Sequence, residues 1–174
     1  MREKGLVHIY CGDGKGKTSA AIGLAVRAAG RGKKVLISRF LKTDDSGEVM
    51  ILKEIPGITV LPCEKSFGFL FRMSEEQKKE AASYYQEQFE KTVKMAERYD
   101  LLILDEMMAS ISGKMVPEER VLQFLQEKPE NLEVVLTGRN PSDRLKEEAD
   151  YISEILAVRH PYEQGIPARE GIEY

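Results

Sequence analysis

The amino-acid sequence predicts an α/β protein with a mainly parallel sheet, and three observations carry the prediction. Short β-rich runs alternate with helical segments, the order that strand–helix–strand units produce. The runs Leu101-Leu102-Ile103-Leu104 and Val134-Val135-Leu136 are apolar on both faces, as inner strands covered by helices on each side must be. A turn rich in glycine and lysine, Gly12 to Thr18, lies between the first strand run and the first helical run. The expected fold is therefore three-layered, with helices on both sides of a six-stranded sheet.

Strands are expected near residues 6–11, 34–39, 58–61, 101–105, 133–137 and 151–158. The first helix should run from Lys17 to Ala29 and stop at Gly30, since glycine is the common C-terminal breaker. Ser74-Glu75-Glu76-Gln77 fits a capping box, in which Ser74 and Gln77 satisfy each other's free amides. The helix behind it places Tyr85, Phe89, Val93 and Ala96 on one stripe. Pro117 and Pro141 each suit a first helical turn, with Asn140 a cap before the second. Residues 43–71 carry the weakest local signals, and long irregular stretches in such folds often carry function.

Composition narrows the function classes. A length of 174 residues suits one domain spanning 1–174. The formal net charge of −3 argues against a general nucleic-acid binder, which carries a basic surplus. Cys11 and Cys63 match no metal ribbon and no disulfide framework, and Cys11 reads as a small buried core residue. The apolar run from Leu6 is too short for a secretory signal, and no stretch reaches the length of a membrane span. The expectation is a soluble cytoplasmic protein.

The turn Gly12-Asp13-Gly14-Lys15-Gly16-Lys17-Thr18 has the makings of a phosphate site. Its glycines let the backbone curl with the amides pointing inward as a nest for phosphate oxygens. The helix N-terminus adds partial positive charge and Lys17 a full one, while the Thr18 hydroxyl suits the magnesium that accompanies a triphosphate. The spacing is one residue shorter than the common phosphate loop (P-loop), with Cys11 where its first glycine would stand. Asp105 and Glu106 end the apolar run 101–104, where carboxylates can reach the metal directly or through water. Without the loop upstream, Asp105 would read as an ordinary cap. Arg27 and Arg139 are phosphate or ribose contacts or else surface charges. His8 and His160 read as structural.

The shortened loop resembles that of the P-loop type of ATP:corrinoid adenosyltransferase. Further segments are similar in the same order: Arg27 to Gly32, Phe40-Leu41-Lys42, Gly68-Phe69-Leu70-Phe71, Asp105-Glu106, Thr137-Gly138-Arg139, and His160-Pro161-Tyr162 through Gly171-Ile172-Glu173-Tyr174. Arg39 stands where the family has Gln, and Phe71 where it has Trp.

The resemblance implies a P-loop nucleotide-binding fold, a homodimer, Mg2+, ATP and a cobalt corrinoid as substrates, and an electron-donating reductase or flavodoxin-like partner. It implies ATP held by Gly12 through Ser19 with Arg27 and Arg139, catalysis through Lys17, Thr18 and Glu106, and metal at Thr18, Asp105 and Glu106. It also implies that Phe69 and Phe71 close the lower face of the corrin and displace its axial base, bringing cobalt(I) within reach of a cellular reductant. Cobalt(I) then attacks the ribose C5′ of ATP and triphosphate leaves, with no proton to remove and so no general base. The loop and the acidic pair alone suit a P-loop NTPase or phosphotransferase equally well. A non-catalytic corrinoid-binding protein is the remaining alternative.

Overall fold

A computed structural model describes residues 4–68 and 72–173. Its strands are β1 (Val7–Cys11), β2 (Val35–Arg39), β3 (Ile58–Val60), β4 (Leu101–Asp105), β5 (Glu133–Thr137) and β6 (Tyr151–Glu154). They form one six-stranded sheet in the order β3-β2-β4-β5-β1-β6, with every pairing parallel. The helices are α1 (Lys17–Ala29), α2 (Gly47–Leu52), α3 (Glu75–Ala96), α4 (Met107–Ser112), α5 (Glu118–Glu127) and α6 (Asp143–Glu147). A 3-10 turn, Pro161–Gln164, follows β6.

The sheet divides two cores because successive strand side chains point to opposite faces. Val35, Ile37, Leu101, Ile103 and Val135 meet Ala21, Ala25 and Ala28 of α1 and Val49 and Leu52 of α2. Leu36, Leu102, Leu104, Val134 and Leu136 face the other way, toward Tyr85 and Phe89 of α3, Met107 of α4 and Leu122, Phe124 and Leu125 of α5. Both faces of β2 and β4 are buried throughout, which accounts for their unbroken apolar runs. All four residues of β6 are exposed, so this edge strand is held by its backbone ladder to β1 and by the stacking of Tyr151 on His8.

Local signals set most helix ends. Gln77 N donates to Ser74 Oγ at 3.2 Å and Ser74 N to Gln77 Oε1 at 2.9 Å, closing the capping box. Tyr85, Phe89 and Ala96 are buried along α3, with Val93 partly buried beside them. Helix α1 runs from Lys17 to Ala29 with Gly30 at its C-cap, as expected; Gly30 keeps helical torsions and the left-handed turn falls at Gly32, φ 75°. Two other ends differ from expectation. Pro117 stands as the N-cap of α5, one position before its first turn. Asn140 does not cap α6. A residue before proline is disfavoured in the helical region, and Asn140 is left-handed at φ 51°. Ser142 takes the cap instead, accepting from Leu145 N at 3.1 Å.

Candidate active site

The C-terminal ends of β1, β2, β4 and β5 converge on one side of the sheet, where ligands of open parallel folds bind. A cleft of about 1250 Å³ opens there. Its wall includes Asp13, Gly14, Lys15, Gly16, Lys17, Thr18 and Ser19 from the loop and the start of α1, with Glu106 after β4 and Arg139 after β5.

The loop takes its shape from its neighbour. Past Glu154 the chain continues alongside it: Ile155 N donates to Cys11 O at 2.9 Å, and Gly14 N donates to Ile155 O at 2.8 Å. A Cβ on Gly12, whose φ is 101°, would lie 2.3 Å from Ile155 O, and one on Gly14 would lie 2.7 Å from Leu156 C. No side chain fits either place, which is why both are glycine. Asp13 accepts from Ala157 N at 3.0 Å, and that bond holds its carboxyl below the usual carboxylate range. Lys17 Nζ donates to Gly14 O at 2.8 Å, folding the lysine over the loop. Burial, and then the neighbouring Arg139 guanidinium, push the Lys17 ammonium below the ordinary lysine value.

Behind the loop lies a buried polar cluster. Asp105 is 1% exposed and accepts from Thr18 Oγ1 at 2.8 Å and Thr137 Oγ1 at 2.7 Å through one carboxylate oxygen. Lys42 Nζ donates to its other oxygen at 2.6 Å and to Thr18 Oγ1 at 3.0 Å. Glu106 takes a left-handed backbone, φ 59°, and its amide donates to Thr137 Oγ1 at 2.9 Å. Such a backbone in a residue with a side chain costs about 1–3 kcal/mol and clusters at functional sites. The donor set suits Mg2+, which is usually held by one or two carboxylates and takes its remaining ligands from water and phosphate. Among the described residues no cluster of three or more His, Cys, Asp or Glu forms a metal cage.

Other expected site residues fall elsewhere. Arg27 is exposed in the last turn of α1, ten residues from Lys17 and about 15 Å along the axis, and does not line the cleft. Phe69 and Phe71 lie outside the described residues. Their neighbours Phe67 and Gly68 line the cleft, with Phe67 packed 5.8 Å from Tyr85, centroid to centroid. His8 is structural, bonded to Glu133 at 2.5 Å and stacked on Tyr151. His160 accepts from Tyr162 N at 3.2 Å and also borders the cleft.

Three further residues, Lys42, Thr137 and Glu173, join the site in the fold. Lys42 lies three residues beyond β2, and its only signal was its place in the Phe40-Leu41-Lys42 segment. Glu173 Oε1 accepts from Lys15 Nζ at 3.1 Å, and the Arg169 guanidinium and amide hold its carboxyl down to about 2. The C-terminal segment thus reaches the loop, a contact across 158 residues that no local signal announces.

Strand order, the glycine loop at the head of α1 and the Thr18–Asp105 pair define an α/β protein of the P-loop nucleotide-binding class. A solved structure of EssC (ATPases 2 and 3) from Geobacillus thermodenitrificans shares the fold, with a TM-score of 0.52 at 16% identity over 98% of this chain and 36% of that one. The chain belongs to the family ATP:corrinoid adenosyltransferase BtuR/CobO/CobP, whose description matches residues 3–174. It is 35% identical to the corrinoid adenosyltransferase of Escherichia coli K12 over 99% of this chain and 87% of that protein. With corrinoid adenosyltransferase CobA of Salmonella typhimurium LT2 the identity is 32%, over 100% and 88%. The protein is accordingly an enzyme that adenosylates a corrinoid with ATP.

Proposed function

We propose that a single domain, residues 1–174, carries out this transfer with the cleft as its ATP site and the segment around Phe69 and Phe71 as its corrinoid site. The observation that carries the reading is the convergence of Lys17, Thr18, Glu106 and Arg139 on one cleft beside a glycine-lined loop. The loop amides from Gly12 to Ser19, with Lys15 and Lys17, hold the triphosphate. Arg139 supplements them, and Arg27 belongs to the outer surface. Thr18 and Asp105 hold Mg2+, with Glu106 beside them directly or through water. The metal, when bound, draws negative charge off the departing triphosphate.

The reaction asks for little acid–base chemistry. The cobalt(I) nucleophile has no proton to lose, so the protein's task is alignment and stabilisation of charge on the leaving group. Lys17 suits that task because its ammonium is partly desolvated and already held against the loop. Phe69 and Phe71 supply an apolar surface for the corrin face, a role supported by the apolar Phe67 and Tyr85 on the cleft wall. In this reading the enzyme works in the cytoplasm as a homodimer and receives electrons from a reductase or flavodoxin-like protein.

The test is anaerobic, with purified protein, ATP, Mg2+ and chemically reduced cobalamin followed by visible absorption. Growth of a light-sensitive alkyl–cobalt species with triphosphate as coproduct is expected. Accumulation of ADP and phosphate without that species would point to a P-loop NTPase and refute the transfer at this cleft. Phe69→Ala should impair reaction from cobalt(II) plus reductant more than reaction from prereduced cobalt(I); equal losses would reduce Phe69 to a structural role.

A further inference from the structure

Lys42 is bound where a metal should be. Its ammonium lies 2.6 Å from Asp105 Oδ2 and 3.0 Å from Thr18 Oγ1, the two groups that the reading above assigns to Mg2+. Asp105 is almost fully buried, and a buried carboxylate needs a compensating cation. Lys42 is that cation among the described residues, the single salt-bridge partner of Asp105. Magnesium bonds oxygen at about 2.0–2.1 Å, closer than an ammonium can approach. A metal that took these oxygens would therefore meet the ammonium head on, with like charges a few ångströms apart. The two occupants exclude each other.

Lys42 has somewhere to go. Its side chain is 24% exposed and lines the same cleft as Lys15 and Lys17. The ammonium is already within hydrogen-bond distance of Thr18, the residue next to Lys17. A change of rotamer in its four-carbon stem carries the charge from the buried carboxylate toward the triphosphate position.

We infer that Lys42 is a placeholder cation: it neutralises Asp105 and orients Thr18 until metal and ATP arrive, is displaced by the metal, and then binds the triphosphate of ATP. The inference rests on the assignment of Thr18 and Asp105 to Mg2+. It makes metal and nucleotide binding mutually dependent. Metal alone must evict the ammonium with no new partner to receive it, whereas metal with triphosphate supplies one. Each ligand then raises the affinity for the other, as linkage requires.

Mn2+ serves as the probe, its free concentration followed by electron paramagnetic resonance, with wild type, Lys42→Met and Asp105→Asn titrated with and without ATP. Lys42→Met should bind Mn2+ alone at least about tenfold more tightly than wild type, because a charge repelling the metal is gone. The same variant should bind ATP in the presence of Mn2+ about tenfold more weakly, the usual scale for one lost charged contact to phosphate. These changes have opposite signs, whereas a merely structural lysine would weaken both. Lys42→Arg should restore both affinities toward wild type. Should Lys42→Met fail to fold, Lys42→Gln, which keeps a donor to Asp105 without the charge, carries the same comparison. Unchanged or weakened Mn2+ binding by the neutral variant overturns the inference. Asp105→Asn is the separate control: if it left Mn2+ binding to the ATP complex intact, the metal assignment itself would fall, whatever Lys42 does.

Discussion

Two walls of the cleft are built on different principles. The phosphate-loop wall grows from strand ends: Thr18 heads a helix fed by β1, Asp105 ends β4 and Thr137 ends β5, and these three share hydrogen bonds of 2.7–2.8 Å around one buried oxygen. The wall carrying Thr43, Asp45, Ser66, Phe67 and Gly68 comes from irregular segments flanking α2 and β3. On the first wall Asp105 and Thr137 are fixed by the sheet that buries them, and Thr18 is bonded to that pair. On the second, side chains are placed by contacts such as Phe67 on Tyr84 and Tyr85. The contrast fits a division of labour between a polyphosphate, whose charge needs rigid preorganised donors, and a large flat acceptor, which needs an apolar surface.

Changes to the rigid wall should therefore hurt most. Lys17→Ala removes the partly desolvated charge held over the loop and should lower turnover on the order of 10²–10³-fold. Near-normal activity in the anaerobic assay would show that the triphosphate lies elsewhere. Gly12→Ala forces a methyl to within 2.3 Å of Ile155 O at a φ of 101°. It should cost roughly 2–4 kcal/mol in chemical denaturation, since backbone strain and overpacking act together. A loss under 1 kcal/mol, on the order of an ordinary surface change, would mean that the loop and the segment after β6 separate easily.

A subtler effect follows from protonation. The Lys17 pKa is lowered in the fold, so its charged form destabilises the protein, and that penalty is relieved as pH rises from its folded value toward the ordinary 10.5. A bound triphosphate favours the ammonium. ATP binding should consequently take up a proton in this alkaline window, and affinity should fall as pH climbs through it. Calorimetry in buffers of different ionisation enthalpy measures the uptake, which should vanish in Lys17→Ala. The smallest effect belongs to the exposed C-terminal contact. Glu173→Gln should change the KM for ATP by no more than about threefold, as solvent-exposed ion pairs contribute little. A larger change would place the C-terminal segment in the binding machinery and blur the contrast between the walls.

Among the described residues no helix is long and apolar enough to cross a membrane, in keeping with the lack of an apolar span in the sequence. Glu106 joins the two levels of description. Its place after an apolar strand was readable, yet the left-handed turn that aims it depends on the Thr137 hydroxyl holding its amide.

Local patterning determined the layered fold, because alternation between strand and helix periods and the doubly apolar runs 101–104 and 134–136 admit few other arrangements. It also marked Lys17, Thr18, Asp105 and Glu106, since glycine spacing and a carboxylate after an apolar strand are short-range signals. Two further outcomes were local as well: proline geometry put the α6 cap on Ser142 rather than Asn140. Helix rise likewise carried Arg27, ten residues beyond Lys17, away from the phosphate-binding end of α1. Only the folded chain put the Lys42 ammonium between Thr18 and Asp105, 24 and 63 residues away, because a buried carboxylate takes its partner from whichever strand end lies beside it.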